Sequence, residues 1–83
     1  MPKLLLETGE RNLIGKRLKT LRKRAGLSQR GLADRLQLSG VDIDKNVITR
    51  IETNKRYVTD IELKQIAKCL NVSYEYLIDG EEK

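Results

Sequence analysis

IDKNVITRIETNKR, residues 43–56, is the stretch on which the fold turns. Wound as an α-helix at about 100° per residue, it puts Val47, Ile48 and Ile51 on one apolar arc and Lys45, Asn46, Thr49, Arg50 and Thr53 on the opposite side. One face is built to dock, the other to be offered outward. Asp44 is a good N-cap, because its carboxylate can accept a hydrogen bond from a free N–H of the first turn. Ile43, just before it, is spaced to pack on Ile48 as a hydrophobic staple. The far end is marked by Asn54, a residue that tolerates the left-handed conformation, and then by the cations Lys55 and Arg56. The spacing predicts a helix over about 44–53.

The flanks repeat this syntax. Upstream, Ile14, Leu18, Leu21 and Ala25 follow the i, i+4, i+7, i+11 spacing of one apolar stripe, so a helix is expected over 12–25, with Gly26 as its stop. The rest of that helix, Lys16, Arg17, Lys19, Lys23 and Arg24, has no acidic neighbour to pair with, so mutual repulsion must be tolerated. A second helix opens at Ser28, with Leu27 and Leu32 as its staple and Leu32, Ala33 and Leu36 as its inner face. Residues 37–43, QLSGVDI, form a long connection in which Gly40 ends the second helix and Val41 and Ile43 turn inward across Asp42. Downstream, Thr59 and Glu62 fit a capping box and Val58 and Leu63 a staple; Leu63, Ile66, Ala67 and Leu70 make the fourth inner stripe. Asn71 stops it. Val72, Ser73 and Leu77 then start a short fifth helix that ends near Asp79.

No strand pattern competes, so the fold class is all-α: a five-helix domain over 12–79, preceded by an arm over 1–11 and followed by a tail over 80–83 expected to be disordered. The arm carries Leu4, Leu5 and Leu6, which read either as a frayed terminus or as a surface that packs on a second subunit.

Eighty-three residues make one small domain, a size that buries only about 60% of its unfolded surface and leaves little room for an enzyme cleft. The net charge of +5 is unevenly spread: residues 11–56 hold 13 basic against 4 acidic side chains, whereas residues 57–83 hold 3 against 6. Such a basic patch favours a polyanion, and nucleic acid is the commonest soluble one. With no His and the single Cys69, a metal cluster, a disulfide framework or a Cys/His nucleophile pair cannot be built within one chain. There is no P-loop and no Gly-rich nucleotide fingerprint, so neither catalysis nor a cofactor is expected. Cys69 reads as a small, partly buried helix residue in a reducing cytoplasm. Leu4–Leu6 is too short for a signal peptide or a membrane span.

The start of the second helix carries a chemical exception. Arg30 and Gly31 occupy the first turn, where acidic residues would suit the helix dipole and where Gly costs about 1 kcal/mol against Ala. A phosphate would explain it. A helix N-terminus attracts anions, and Gln29 and Arg30 add side-chain donors beside its free N–H groups.

Over residues 12–79 the stretches IGKRLKTLRKRAGLSQ, GLADRL, VITRIETNKR and LKQIAKCLNVSYEYL, in this order and spacing, resemble the phage-repressor and Cro-type (XRE-like) helix-turn-helix family. The resemblance implies the lambda repressor-like fold, with the segment beginning LSQ as scaffold helix and the one containing ITRIE as recognition helix in the major groove of double-stranded DNA. It implies base readers at Lys45 and Asn46, with Thr49 and Arg50 one turn later, and phosphate ligands at Gln29, Lys55 and Arg56, in addition to the Arg30 expected from the helix N-terminus. Lys can donate to guanine O6/N7, Asn can bond an adenine edge, and the Thr methyl can touch thymine. Arg22 and Glu52, each bordering a buried stripe, match a structural ion pair of the family, locking the first helix to the third. Two departures stand out: the link from Leu36 to Ile48 is about five residues longer than the usual short turn, and Tyr57-Val58 stands where a Pro often follows the basic loop.

The expected function is a sequence-specific transcriptional regulator, a repressor acting as a homodimer on a palindromic operator, with Leu4–Leu6 and Tyr74, Tyr76 and Ile78 as candidate dimer surfaces. The alternative is a protein-interaction module, such as an antitoxin-like partner, for which DNA binding is secondary. Either way the chain is expected to be cytoplasmic, with no membrane partner.

Overall fold

A computed structural model describes residues 10–80, in which four of five helices begin on the side chain nominated by the local sequence. Ser28 accepts from the Gly31 N–H, Asp44 from Val47, Thr59 from Glu62 and Ser73 from Tyr76. These caps open α2 (Gln29–Leu38), α3 (Lys45–Glu52), α4 (Asp60–Leu70) and α5 (Tyr74–Asp79), and at α4 Glu62 reaches back to the Thr59 N–H to complete the capping box. Readings that fall on Leu4–Leu6 and on 81–83 lie outside the described residues.

The first helix is the exception. It runs as α1 (Gly15–Arg24), not from residue 12, and its N-cap Ile14 makes no side-chain cap bond. The reason is Asn12: its Oδ1 accepts from the N–H groups of Ile14 at 3.1 Å and Gly15 at 2.8 Å, so residues 12–14 form a capping turn ahead of the helix. At the other end Ala25 is the C-cap and is exposed, so it is not part of the inner stripe.

Helices α1 to α4 share one ending. A left-handed residue follows the last turn at Gly26, Gly40, Asn54 and Asn71. The N–H one residue further on returns to a carbonyl of that turn: Leu27 to Arg22, Val41 to Leu36, Lys55 to Arg50 and Val72 to Ala67. Each closure satisfies carbonyls the helix leaves orphaned. Because α2 continues to Leu38, the connection is Ser39–Asp44, two residues shorter at its start than the sequence suggested. Within it Val41 and Ile43 are buried and Asp42 is exposed, as the alternation predicted.

Leu18, Leu32, Leu36, Ile43, Ile48, Ile51, Ile66 and Leu77 are fully buried, so every helix and the α2–α3 connection contribute to one core. Helix α3 lies against α1 and α2; α4 packs on α2 and carries α5. The α1–α3 approach depends on Gly15, where a Cβ would stand 2.5 Å from the Ile51 carbonyl oxygen. Arg17 ties α1 to α5, its Nη1 donating to the carbonyls of Leu77 at 3.1 Å and Ile78 at 3.3 Å, where a cation also suits the end of the helix dipole. Among the described residues there is no strand, and no helix is long and apolar enough to cross a membrane.

Candidate nucleic-acid interface

With Ile48 and Ile51 fully buried against the core, the opposite side of α3 must face out. Lys45, Asn46 and Arg50 are exposed on it and Thr49 is half-buried. The Asp44 cap and the buried Ile43 fix where this row begins.

Beneath the row runs a chain of polar contacts linking three helices. Arg22 on α1 grips Glu52 on α3 through Nε to Oε2 at 2.6 Å and Nη2 to Oε1 at 3.1 Å, with the two side chains only 8% and 3% exposed. The remaining arm of Arg22 donates to the Leu27 carbonyl at 2.8 Å. Gln29, the first residue of α2, donates through Nε2 to Glu52 Oε1 at 3.1 Å. A carboxylate only accepts, so this bond fixes the amide orientation and turns Oε1 toward Thr49, whose hydroxyl donates to it at 2.9 Å. Both polar ends of the Gln29 side chain are thus engaged inside the protein, which leaves that side chain its second amide hydrogen to donate.

Arg56 differs more sharply from its expected place among the phosphate ligands. Its two terminal nitrogens donate to Glu62 at 2.8 and 2.9 Å, and Glu62 Oε1 also accepts from the Thr59 N–H at 3.0 Å. The guanidinium closes the start of α4. The Arg56 hydrogen bonds hold the Glu62 carboxyl below the usual carboxylate range, against the opposing effect of burial, and the same bonds raise Arg56. Lys55 next to it is exposed, as is Arg30 in the first turn of α2.

Two residues that the sequence did not single out for a site hold the other flank of α3. Asn54 Oδ1 accepts from the N–H groups of Arg11 at 2.6 Å and Asn12 at 3.0 Å, and its Nδ2 donates to the Asn12 carbonyl at 3.2 Å. Asn12 Nδ2 in turn donates to the carbonyls of Ile51 at 3.1 Å and Arg56 at 2.9 Å. The end of α3 is therefore stitched to the segment that precedes α1. The left-handed signature of Asn54 was legible, but its partner 42 residues away was not.

Between α2 and the start of α3 opens a polar cleft lined by Arg30, Asp34, Gln37, Asp44, Lys45 and Asn46. Burial pushes the Cys69 thiol on α4 up, away from the thiolate form that reacts or binds metal. Among the described residues no group of His, Cys, Asp and Glu could hold a metal ion.

A family model described as helix-turn-helix matches residues 18–77. Neither the curated proteins nor the solved structures provide a match. The family match runs from within α1 to within α5 and covers well over half of the chain, and on that ground the protein belongs to the Cro/C1-type, XRE-like helix-turn-helix family of DNA-binding transcriptional regulators.

Proposed function

We propose that this chain is a repressor that binds a palindromic operator as a homodimer, with α3 in the major groove of double-stranded DNA. The observation that carries the reading is the outward row of α3, whose Lys45, Asn46 and Arg50 side chains have no hydrogen-bond or ion-pair partner among the described residues, braced from beneath by the Arg22–Glu52–Gln29–Thr49 chain. Rigid support of this kind suits base reading, in which a donor must meet an acceptor at hydrogen-bond distance.

Lys45 and Asn46 lead: Lys45 donates to guanine O6/N7 and Asn46 bonds an adenine edge. Arg50 follows one turn later. Thr49 has its hydroxyl turned toward Gln29, so its methyl group is what it offers to a thymine. Arg30 and Lys55 take phosphates on either side, with Gln29 adding its remaining amide hydrogen. Arg56 acts through the fold instead. Half-sites of the dimer lie about 34 Å apart or at a multiple of that spacing. The dimer surface is drawn from Leu4–Leu6 and from α5, where Tyr74 is exposed and Tyr76 and Ile78 are half-buried. The protein acts in the cytoplasm by occupying the operator and blocking polymerase.

A second reading, an antitoxin-like interaction module, draws on Ile61 on α4 and Tyr74 on α5, 68% and 51% exposed. Selection of duplex DNA from a random pool at fixed moderate salt decides between the two. Wild type enriches one palindrome, and a Lys45→Ala/Asn46→Ala double variant relaxes it at particular positions. A folded, monodisperse wild type that enriches nothing would favour the interaction module.

A further inference from the structure

Two α2 side chains of the polar cleft beside α3, Asp34 and Gln37, have no task in the reading above. Arg30, Ala33, Asp34 and Gln37 stand at i, i+3, i+4 and i+7, one face of α2, and the cleft is completed by Asp44, Lys45 and Asn46. Gln37 Nε2 donates to the Ile43 carbonyl at 2.9 Å. That bond draws the end of the connection against the last turn of α2, and it also fixes the amide, because only the NH2 end can serve a carbonyl; Oε1 is left as an acceptor. One turn before it, Asp34 is exposed and makes no hydrogen bond or ion pair with the described residues.

The charges lining the cleft balance: Arg30 and Lys45 against Asp34 and Asp44. A phosphate site needs a surplus of donors, and here two carboxylates would face the anion. A base edge, with donors and acceptors together, is the better match. Asp34 and Gln37 Oε1 are both acceptors lining the cleft, one turn apart on α2, and the major-groove edge of cytosine offers the N4 amino donor with no acceptor of its own beside it. Adenine would bring its N7 acceptor beside the N6 donor and so against a carboxylate, which repels it. We propose that the α2 face is itself a base reader: Asp34, beside Gln37, accepts the one N4 hydrogen of a cytosine that base pairing leaves free, while Lys45 donates to O6/N7 of the guanine in the same base pair. This rests on the placement of α3 in the major groove proposed above. It makes the long connection useful, since α2 and the first turn of α3 then line one reading surface.

The test is parallel selection with wild type, Asp34→Ala, Asp34→Asn and Asn46→Ala, followed by affinity measurements on the selected duplex and on its version with T·A in place of C·G. Asp34 is exposed, so its variants are expected to fold as wild type does, which thermal melts check. Wild type is expected to require cytosine at one position per half-site. Asp34→Ala lowers discrimination there by about tenfold and nowhere else. Asp34→Asn turns the preference toward adenine, whose N6/N7 edge suits an amide, and Asn46→Ala relaxes a different position. An unchanged motif in both Asp34 variants overturns the inference, as does a uniform gain of affinity for all sequences, which would make Asp34 only a repeller of phosphate. Wild type that enriches no site at all overturns the placement of α3 instead.

Discussion

Removing the Glu52 carboxylate strands a guanidinium that is only 8% exposed and breaks the contact of Gln29 as well. A buried pair need not stabilise in net terms, but an unpaired buried charge is costly. Glu52→Ala is therefore expected to lower stability by about 3 kcal/mol or more, read from thermal or denaturant unfolding. An unchanged melting temperature would refute the role of this pair. Glu62 gives a prediction of a different kind. Its folded-state pKa is depressed, so its contribution is present above the unfolded carboxylate pKa and is lost as pH falls through the lower, folded value. Glu62→Gln is expected to cost on the order of 1 kcal/mol at neutral pH, a difference that shrinks in acid as the wild-type carboxyl protonates. A gap that stays constant from pH 7 to pH 2 would show that packing, not charge, is responsible.

At the scale of the elements, the close crossing of α1 over the end of α3 has no room for a side chain at Gly15. Gly15→Ala is expected to force the two helices apart and to destabilise by about 1–3 kcal/mol, despite the better helix propensity of Ala. A variant as stable as wild type would mean that the approach can relax. The helices were legible because their signals are local. A cap, a staple and a left-handed stop each lie within a few residues, and at α2, α3, α4 and α5 the nominated cap is the one used. The start of α1 departs from the apolar period because Ile14 continues that period while Asn12 binds the N–H groups of Ile14 and Gly15 from ahead of the helix. Long-range partnerships were legible only through resemblance, as with Arg22 and Glu52, or not at all, as with Asn12 and Asn54. The resemblance groups Arg56 with its neighbour Lys55 as a phosphate ligand, whereas the structure pairs its guanidinium with Glu62, the capping-box residue of the next helix.

For the whole molecule, the uneven charge of the sequence needs dividing by task. Arg17, Arg22 and Arg56 hold carbonyls and carboxylates of the fold, so they add to the field but are not offered to a ligand. Arg30 and Lys55 remain exposed. Binding to the selected operator is therefore expected to fall steeply with salt, and Lys55→Ala to reduce the slope of log K against log salt by about 0.9, one phosphate's worth of released counterions. Arg56→Ala is expected to leave that slope nearly unchanged while lowering the melting temperature. Equal slopes for Lys55→Ala and wild type would remove Lys55 from the interface.

The chain from Arg22 to Thr49 also partitions what evolution or an engineer can change. The side chains of Lys45, Asn46 and Arg50 take no part in it among the described residues, so on the proposed reading a new operator preference can be written there with foldability intact. Thr49 is the last link, and altering it loosens a contact that reaches Glu52 through one amide. If the proposed readers set specificity, it is modular at three positions and entangled with stability at the fourth, and variant libraries randomised over all four are expected to lose folded members chiefly at Thr49.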